Sequence, residues 1–165
     1  MKWRVVYEDE KGNCRVIVPA EDYQRQGETE EEALERLLKA ALPIPVNGIV
    51  ALIVPSEKIP TDFTFRDAWR FGDLEEPVKF DLEVCKRIHR ERLKKAIEKK
   101  LAQLSDELER AIEDDHLPRQ VAAKRTKKIM RTMHEMDLSH CKTPDDVKKT
   151  VPKELHDVWS FYEIV

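Results

Sequence analysis

The side chains best able to do chemistry in this sequence are a few histidines and cysteines. His134, His140 and Cys141 fall within eight residues, and Cys85 and His89 stand four apart. Zinc needs three or four ligands converging in a tetrahedron, and such sites show paired short spacings. No CxxC or HExxH motif occurs here, so these residues read as scattered side chains and no metal is expected. Cys85 with His89 is the one local pair with a nucleophile and a base, as thiolate catalysis requires. Cys85, however, falls on a run of apolar positions at helical spacing, where a small buried residue is the ordinary occupant. The 33 acidic residues single out no acid–base pair. The runs Glu30-Glu31-Glu32 and Glu113-Asp114-Asp115 stand where helices are expected to begin, and carboxylates there favour the positive end of the helix dipole. Four glycines are too few for a phosphate-cradling loop. No catalytic residue and no cofactor is expected, and the class is non-enzymatic.

Binding chemistry is better represented. Phe63, Phe65, Trp69 and Phe71 flank Arg66 and Arg70, and aromatic residues with arginine are the composition of interface hot spots. The competing reading has Phe65 and Trp69 plugging a junction between structural elements. Lys86 to Lys100 holds eight basic and two acidic residues, and Lys124 to Arg131 adds five basic residues in eight: Lys124, Arg125, Lys127, Lys128 and Arg131. Aligned across a helical hairpin, the two stretches could hold phosphates. Neither a helix-turn-helix spacing nor a platform of stacking aromatics accompanies them.

The elements that must position these residues follow from pattern. Trp3 to Glu8 and Cys14 to Val18 are β-rich runs around the turn formers Gly12 and Asn13, which predicts a hairpin. Thr29-x-x-Glu32 is a capping box opening a helix from about Glu30 to Leu42, stopped by Pro43 and Pro45. Gly48 to Val54 is a short, continuous apolar run and reads as a buried strand. Residues 55–80, punctuated by Pro55, Pro60 and Pro77, read as a connection with a helical turn at Thr64 to Arg70 that places Phe65 and Trp69 on one face. From Asp81, read as an N-cap, no Gly or Pro interrupts the chain until Pro118, which predicts a helix of about 30 residues. Pro118 then opens a second helix carrying Val121, Ala122, Ile129, Met133 and Met136. The short DDHLP link predicts an antiparallel helical hairpin. The narrow seam from Ile97 to Leu108 has coiled-coil spacing and offers a route to a homo-oligomer. Thr143-Pro144-Asp145-Asp146 starts a further short helix, and Leu155, Val158, Trp159, Phe161 and Tyr162 could dock on the sheet, on the hairpin or on a partner.

The fold class is α+β: a small sheet domain over 1–60, a Pro/aromatic connector over 61–80, a helical hairpin over 81–137 and a helical tail over 138–165. Of the 165 residues 41% are hydrophobic and 38% charged, against typical values of about 45–50% and about 25%, so much of the chain must lie on solvated helix faces. Residues 1–81 carry 11 Lys and Arg against 17 Asp and Glu, a net of −6, and residues 82–165 carry 19 against 16, a net of +3. That excess is far below the footprint of a dedicated DNA-binding protein. There is no apolar run of about 18 residues and no apolar stretch at the N-terminus, so neither a membrane span nor a signal peptide is expected. Three widely spaced cysteines fit reduced thiols in a cytosol-like compartment.

The stretch PTDFTFRDAW followed by FDLEVCKRIHRERLKKA resembles a family of small proteins of phages and alphaproteobacterial-type prophages. These carry a D-x-x-FR-x-AW box, an IHR-x-R helix and a TPEEL-type tail. The matching residues are Asp62, Phe65, Arg66, Ala68 and Trp69, then Asp81, Lys86, Ile88, His89, Arg90, Arg92 and Ala96, then Thr143, Pro144, Asp145 and Asp146. The run GETEEE at Gly27 to Glu32 is similar too. Val151-Pro152 replaces the tail's WP, and Cys85, Lys95, Lys99 and Lys100 depart from the Ala- and Arg-rich runs of relatives. The resemblance implies a tail or late structural gene context, partners among phage tail proteins, and a place in the bacterial cytoplasm or the virion. Phe65, Arg66, Trp69, His89, Arg90 and Arg92 are the residues expected to contact a partner. The alternative is a nucleic-acid-binding phage accessory protein using the Lys124 to Arg131 cations.

Overall fold

The computed structural model describes residues 2–9, 11–20, 22–41, 51–133 and 136–163. It is α+β and divides into two compact units, residues 1–81 and 82–165.

In the first unit, β1 (Trp3–Glu8) and β2 (Cys14–Ile17) form the expected hairpin, with Val5 opposite Ile17 and Glu8 opposite Cys14. Gly12, at φ 77°, supplies the left-handed residue of the turn. The Asp9 carboxylate accepts from the Asn13 and Lys11 backbone N–H groups and from Arg15 Nε at 2.8 Å. These bonds, the one from Asn13 first, hold the Asp9 carboxyl well below the usual range. β3 (Ala51–Pro55) pairs antiparallel on the other side of β1, giving the order β2-β1-β3. The expected buried strand is instead an edge strand. Val54 is buried, whereas Ala51, Leu52 and Ile53 are only half-buried, because β3 has a partner strand on one side alone. Gly48 to Val50 lie outside the described residues, as do Leu42, Pro43 and Pro45.

α1 (Glu30–Ala41) begins as its capping box requires. The Glu32 N–H donates to Thr29 Oγ1 at 3.3 Å, and the Thr29 N–H donates to Glu32 Oε2 at 2.8 Å. It buries Ala33 and Leu34, the latter beside Trp3 and Ile53 of the sheet. Residues 61–80 are not a connector; they complete this unit. A single 3-10 turn spans Arg66–Ala68, and the chain then forms a second hairpin from β4 (Trp69–Phe71) and β5 (Val78–Phe80). The helical turn is thus shorter than expected, and Trp69 starts a strand rather than sharing a helical face with Phe65. Trp69 packs with Val6, Cys14, Val54 and Val78 in one core cluster. Gly72 permits the turn between these strands, since a Cβ there would lie 1.9 Å from the Glu76 carbonyl oxygen. Val5 and Val6, neighbours pointing to opposite faces of β1, are both wholly buried, so both faces of the sheet are covered.

In the second unit, α2 (Leu82–Glu113, 32 residues) and α3 (Leu117–Thr132) form the antiparallel hairpin read from the sequence. At the link Asp115 adopts φ 50°, the Asp115 N–H donates to the Ile112 carbonyl (3.1 Å) and the His116 N–H to the Ala111 carbonyl (2.8 Å). This is the Schellman pattern with Asp115 in the left-handed position. His116 Nδ1 accepts from the Arg119 N–H, and Pro118 occupies the first turn of α3. The residues of α3 turned inward are Ala123, Met130 and the half-buried Lys127, which reaches Ser105 Oγ at 2.9 Å. Val121 and Ile129, expected on the apolar face, are 58% and 36% exposed. The spacing 123, 127, 130 selects one stripe of the helix, and Val121 and Ile129 fall outside it.

α4 (Pro144–Lys148) is capped reciprocally by Thr143 and Asp146. The segment beyond it docks on α2: Val151, Leu155 and Val158 join Leu93, Ala96, Ile97, Leu104 and Met130 in one cluster, and Lys100 Nζ meets Asp157 Oδ2 at 2.7 Å. One long helix therefore serves two packing partners. Among the described residues no helix is long and apolar enough to cross a membrane.

Candidate docking groove

The aromatic–arginine box opens on a groove of about 660 Å³ in the first unit, lined by Val16, Val18, Ile59, Phe63 and Trp69 together with Arg4 and Arg66. Local chemistry sets it up. The Thr64 N–H donates to Asp62 Oδ1 at 2.8 Å, an Asx turn, and the Phe63 carbonyl accepts the Arg66 N–H at 3.1 Å. Between these two turns Phe63 is held 60% exposed. Its ring lies 5.5 Å from that of Trp69, and the Arg66 guanidinium carbon lies 6.0 Å from its centroid. Trp69 is fixed from beneath by Phe80, edge-on at 6.5 Å. The indole Nε1 of Trp69 is buried with no acceptor in reach among the described residues. Glu57 is the acidic residue of the lining. An apolar floor, an exposed aromatic ring and two guanidinium groups suit an apolar anchor flanked by carboxylates.

The six residues expected at a partner interface separate by burial. Phe65 and Trp69 (2% exposed each) and His89 (0%) lie in the interior; of the three, Trp69 alone borders the groove, at its base. Arg66 and Arg90 are exposed and Arg92 is half-buried. Arg66 belongs to the first unit, Arg90 and Arg92 to the second.

His89 is a satisfied interior histidine. Thr150 Oγ1 donates to the Val147 carbonyl (2.7 Å) and so accepts from His89 Nε2 (3.0 Å), which leaves Nδ1 to accept from the Tyr162 hydroxyl (2.7 Å). Burial, with Arg92 and Arg90 nearby, pushes its pKa down to about 4, and burial pushes the Tyr162 phenol up. Arg92 lies against the Phe161 and Tyr162 rings, 5.9 and 5.8 Å from their centroids. Both ring nitrogens of His89 are thus engaged by groups other than Cys85, and the Cys–His pair is not a catalytic dyad. Cys141 Sγ stands 3.6 Å from His140 Nε2, yet burial raises that thiol's pKa. His134 lies outside the described residues, and among those described no cluster of three metal-ligating side chains forms.

Of the cations on α3, Lys124, Arg125, Lys128 and Arg131 are exposed and Lys127 is half-buried. The Lys127–Ser105 contact and the bond from Gln120 Nε2 to the Ala111 carbonyl mark the register of the hairpin. Lys124 to Arg131 therefore runs alongside residues 101–108, and the Lys86 to Lys100 stretch continues beyond the end of α3 instead of facing it.

Several contributors carry no local sequence signal. Arg4, Val18 and Ile59 reach the groove only through the sheet and the turn after it. Thr150 and Tyr162 lie 61 and 73 residues from His89. Compared with known protein families, curated proteins and solved structures, the chain matches none.

Proposed function

We propose that this is a phage- or prophage-derived virion assembly or structural protein, a tail-associated component or tail assembly chaperone, that works without catalysis by docking on another protein. The observation that carries the reading is the exposed Phe63 ring beside Arg66 over an apolar floor. It falls within the segment whose residues resemble the phage family. An aromatic ring and an arginine set together beside an apolar lining are the residue types enriched where interfaces concentrate their energy.

Affinity capture from phage-producing cells tests this, with and without nuclease, at low and high salt. Tail or capsid proteins should remain bound after nuclease and in high salt. Phe63→Ala should cut their recovery about tenfold, the effect of about 1.4 kcal/mol. Recovery that vanishes with nuclease, collapses with salt or ignores Phe63→Ala would overturn the reading.

The second reading is a nucleic-acid-binding accessory protein. It is favoured by Lys124, Arg125, Lys128 and Arg131, four exposed cations close together in the second half of α3, with the half-buried Lys127 among them.

A further inference from the structure

The outer face of α3 has a composition ordered along its axis. Leu117, Val121, Lys124, Lys128 and Arg131 recur at spacings of four and three, which places them on one stripe. All five are exposed, Leu117 at 66% and Val121 at 58%. Ile112, at the end of α2 next to the link, is 54% exposed. The stripe is distinct from the Ala123–Lys127–Met130 face that meets α2. Charge along the hairpin is uneven: around the tip the exposed acids Glu109, Glu113, Asp114 and Asp115 outnumber the exposed cations Arg110 and Arg119, and Lys124, Arg125, Lys128 and Arg131 occupy the far part of α3. Leu117 and Val121 stand between the two along α3, and Ile112 lies among the acids of the tip.

We propose that this face pairs with the same face of a second copy of the chain, antiparallel, about a two-fold axis near Val121. Self-complementarity is the argument. An antiparallel pair sets the acidic tip of each copy against the Lys124 to Arg131 cations of the other and brings Leu117 and Val121 of the two copies together at the axis. A parallel pair would set like charge against like, which is repulsive. The two-fold arrangement closes on itself and uses one patch twice. The seam from Ile97 to Leu108 offers no such route, because Ile97 and Leu104 are buried in the core of this unit. The docking groove of the first unit plays no part, so this inference and the proposed function stand or fall separately.

Sedimentation velocity on the full chain tests it, using wild type, Glu113→Lys with Asp114→Lys, Lys124→Glu with Lys128→Glu, and an equal mixture of the two variants. The substituted residues are exposed, and far-UV dichroism with thermal unfolding checks that each variant folds. Wild type should dimerise, more weakly as salt rises. Each charge-reversed variant alone should associate at least ~10-fold more weakly, and the mixture should recover dimer as a heterodimer with both charge contacts restored. A wild type still monomeric at about 100 μM, a dimer that persists in both variants, or a mixture that fails to recover would each overturn the proposal.

Discussion

His89 holds one protonation state in the folded protein. Its folded pKa of about 4 lies below the ordinary value near 6.5, so between those values the unfolded chain binds more protons. The His89 contribution to stability is therefore complete above about pH 6.5 and is lost as pH falls toward 4. Urea unfolding at pH 7 and pH 5 should show a stability loss in wild type that is much smaller in His89→Gln; equal losses in the two proteins would refute this. Tyr162→Phe leaves the buried Nδ1 without its donor and should cost about 1–3 kcal/mol at pH 7, measured in the same way. The three cysteines are buried, and burial, with Glu8 adding to it, raises the Cys14 pKa to about 11. A thiol reagent at pH 8 should consequently label none of the three in the native protein and all of them after denaturation.

Caps and turns decide the elements, and some of them are plain in the sequence. The Thr29–Glu32 and Thr143–Asp146 boxes form with both reciprocal bonds; Thr143→Ala should cost about 1 kcal/mol in chemical denaturation. The helical link is legible in position but not in conformation, for nothing in DDHLP marks Asp115 as the residue at φ 50°. Because glycine reaches that region without a Cβ penalty, Asp115→Gly should stabilise by up to about 1 kcal/mol, seen as a rise in Tm. Gly72→Ala should do the reverse and melt the β4–β5 hairpin, since the added carbon has backbone for a neighbour. That hairpin was hidden in the sequence because its strands have three residues each, too few for a period of two to declare itself.

At the scale of the whole molecule, charge is distributed differently in the two units. The net of −6 over residues 1–81 and of +3 over 82–165 puts the positive excess in the unit that carries the exposed α3 cations Lys124, Arg125, Lys128 and Arg131. Duplex DNA held by four of them should lose affinity with salt at a slope near −3.6 in log–log form, about −0.9 per phosphate contact. A slope near zero in a fluorescence titration would exclude them as the phosphate contacts. Core formation in the second unit depends on residues distant in sequence, Leu93 to Leu104 meeting Val151 to Val158. Leu155→Ala, at a wholly buried position, should therefore cost about 2–5 kcal/mol.

Local physics made the β1–β2 hairpin, the helical hairpin, the long helix, the caps and the α+β class readable, because turn formers, 3.6-residue periodicity and side chain–backbone bonds act within a few residues of one another. The aromatic–arginine box was readable as a composition. Only the tertiary structure decided that Phe63 faces outward while Phe65 and Trp69 are consumed by the core, that His89 is fully bonded to residues more than 60 positions away, and that Val121 lies on the solvent side of α3. Each of these depends on which face of an element another element covers. Burial is a property of pairs of elements, and a sequence pattern names the faces without naming their partners.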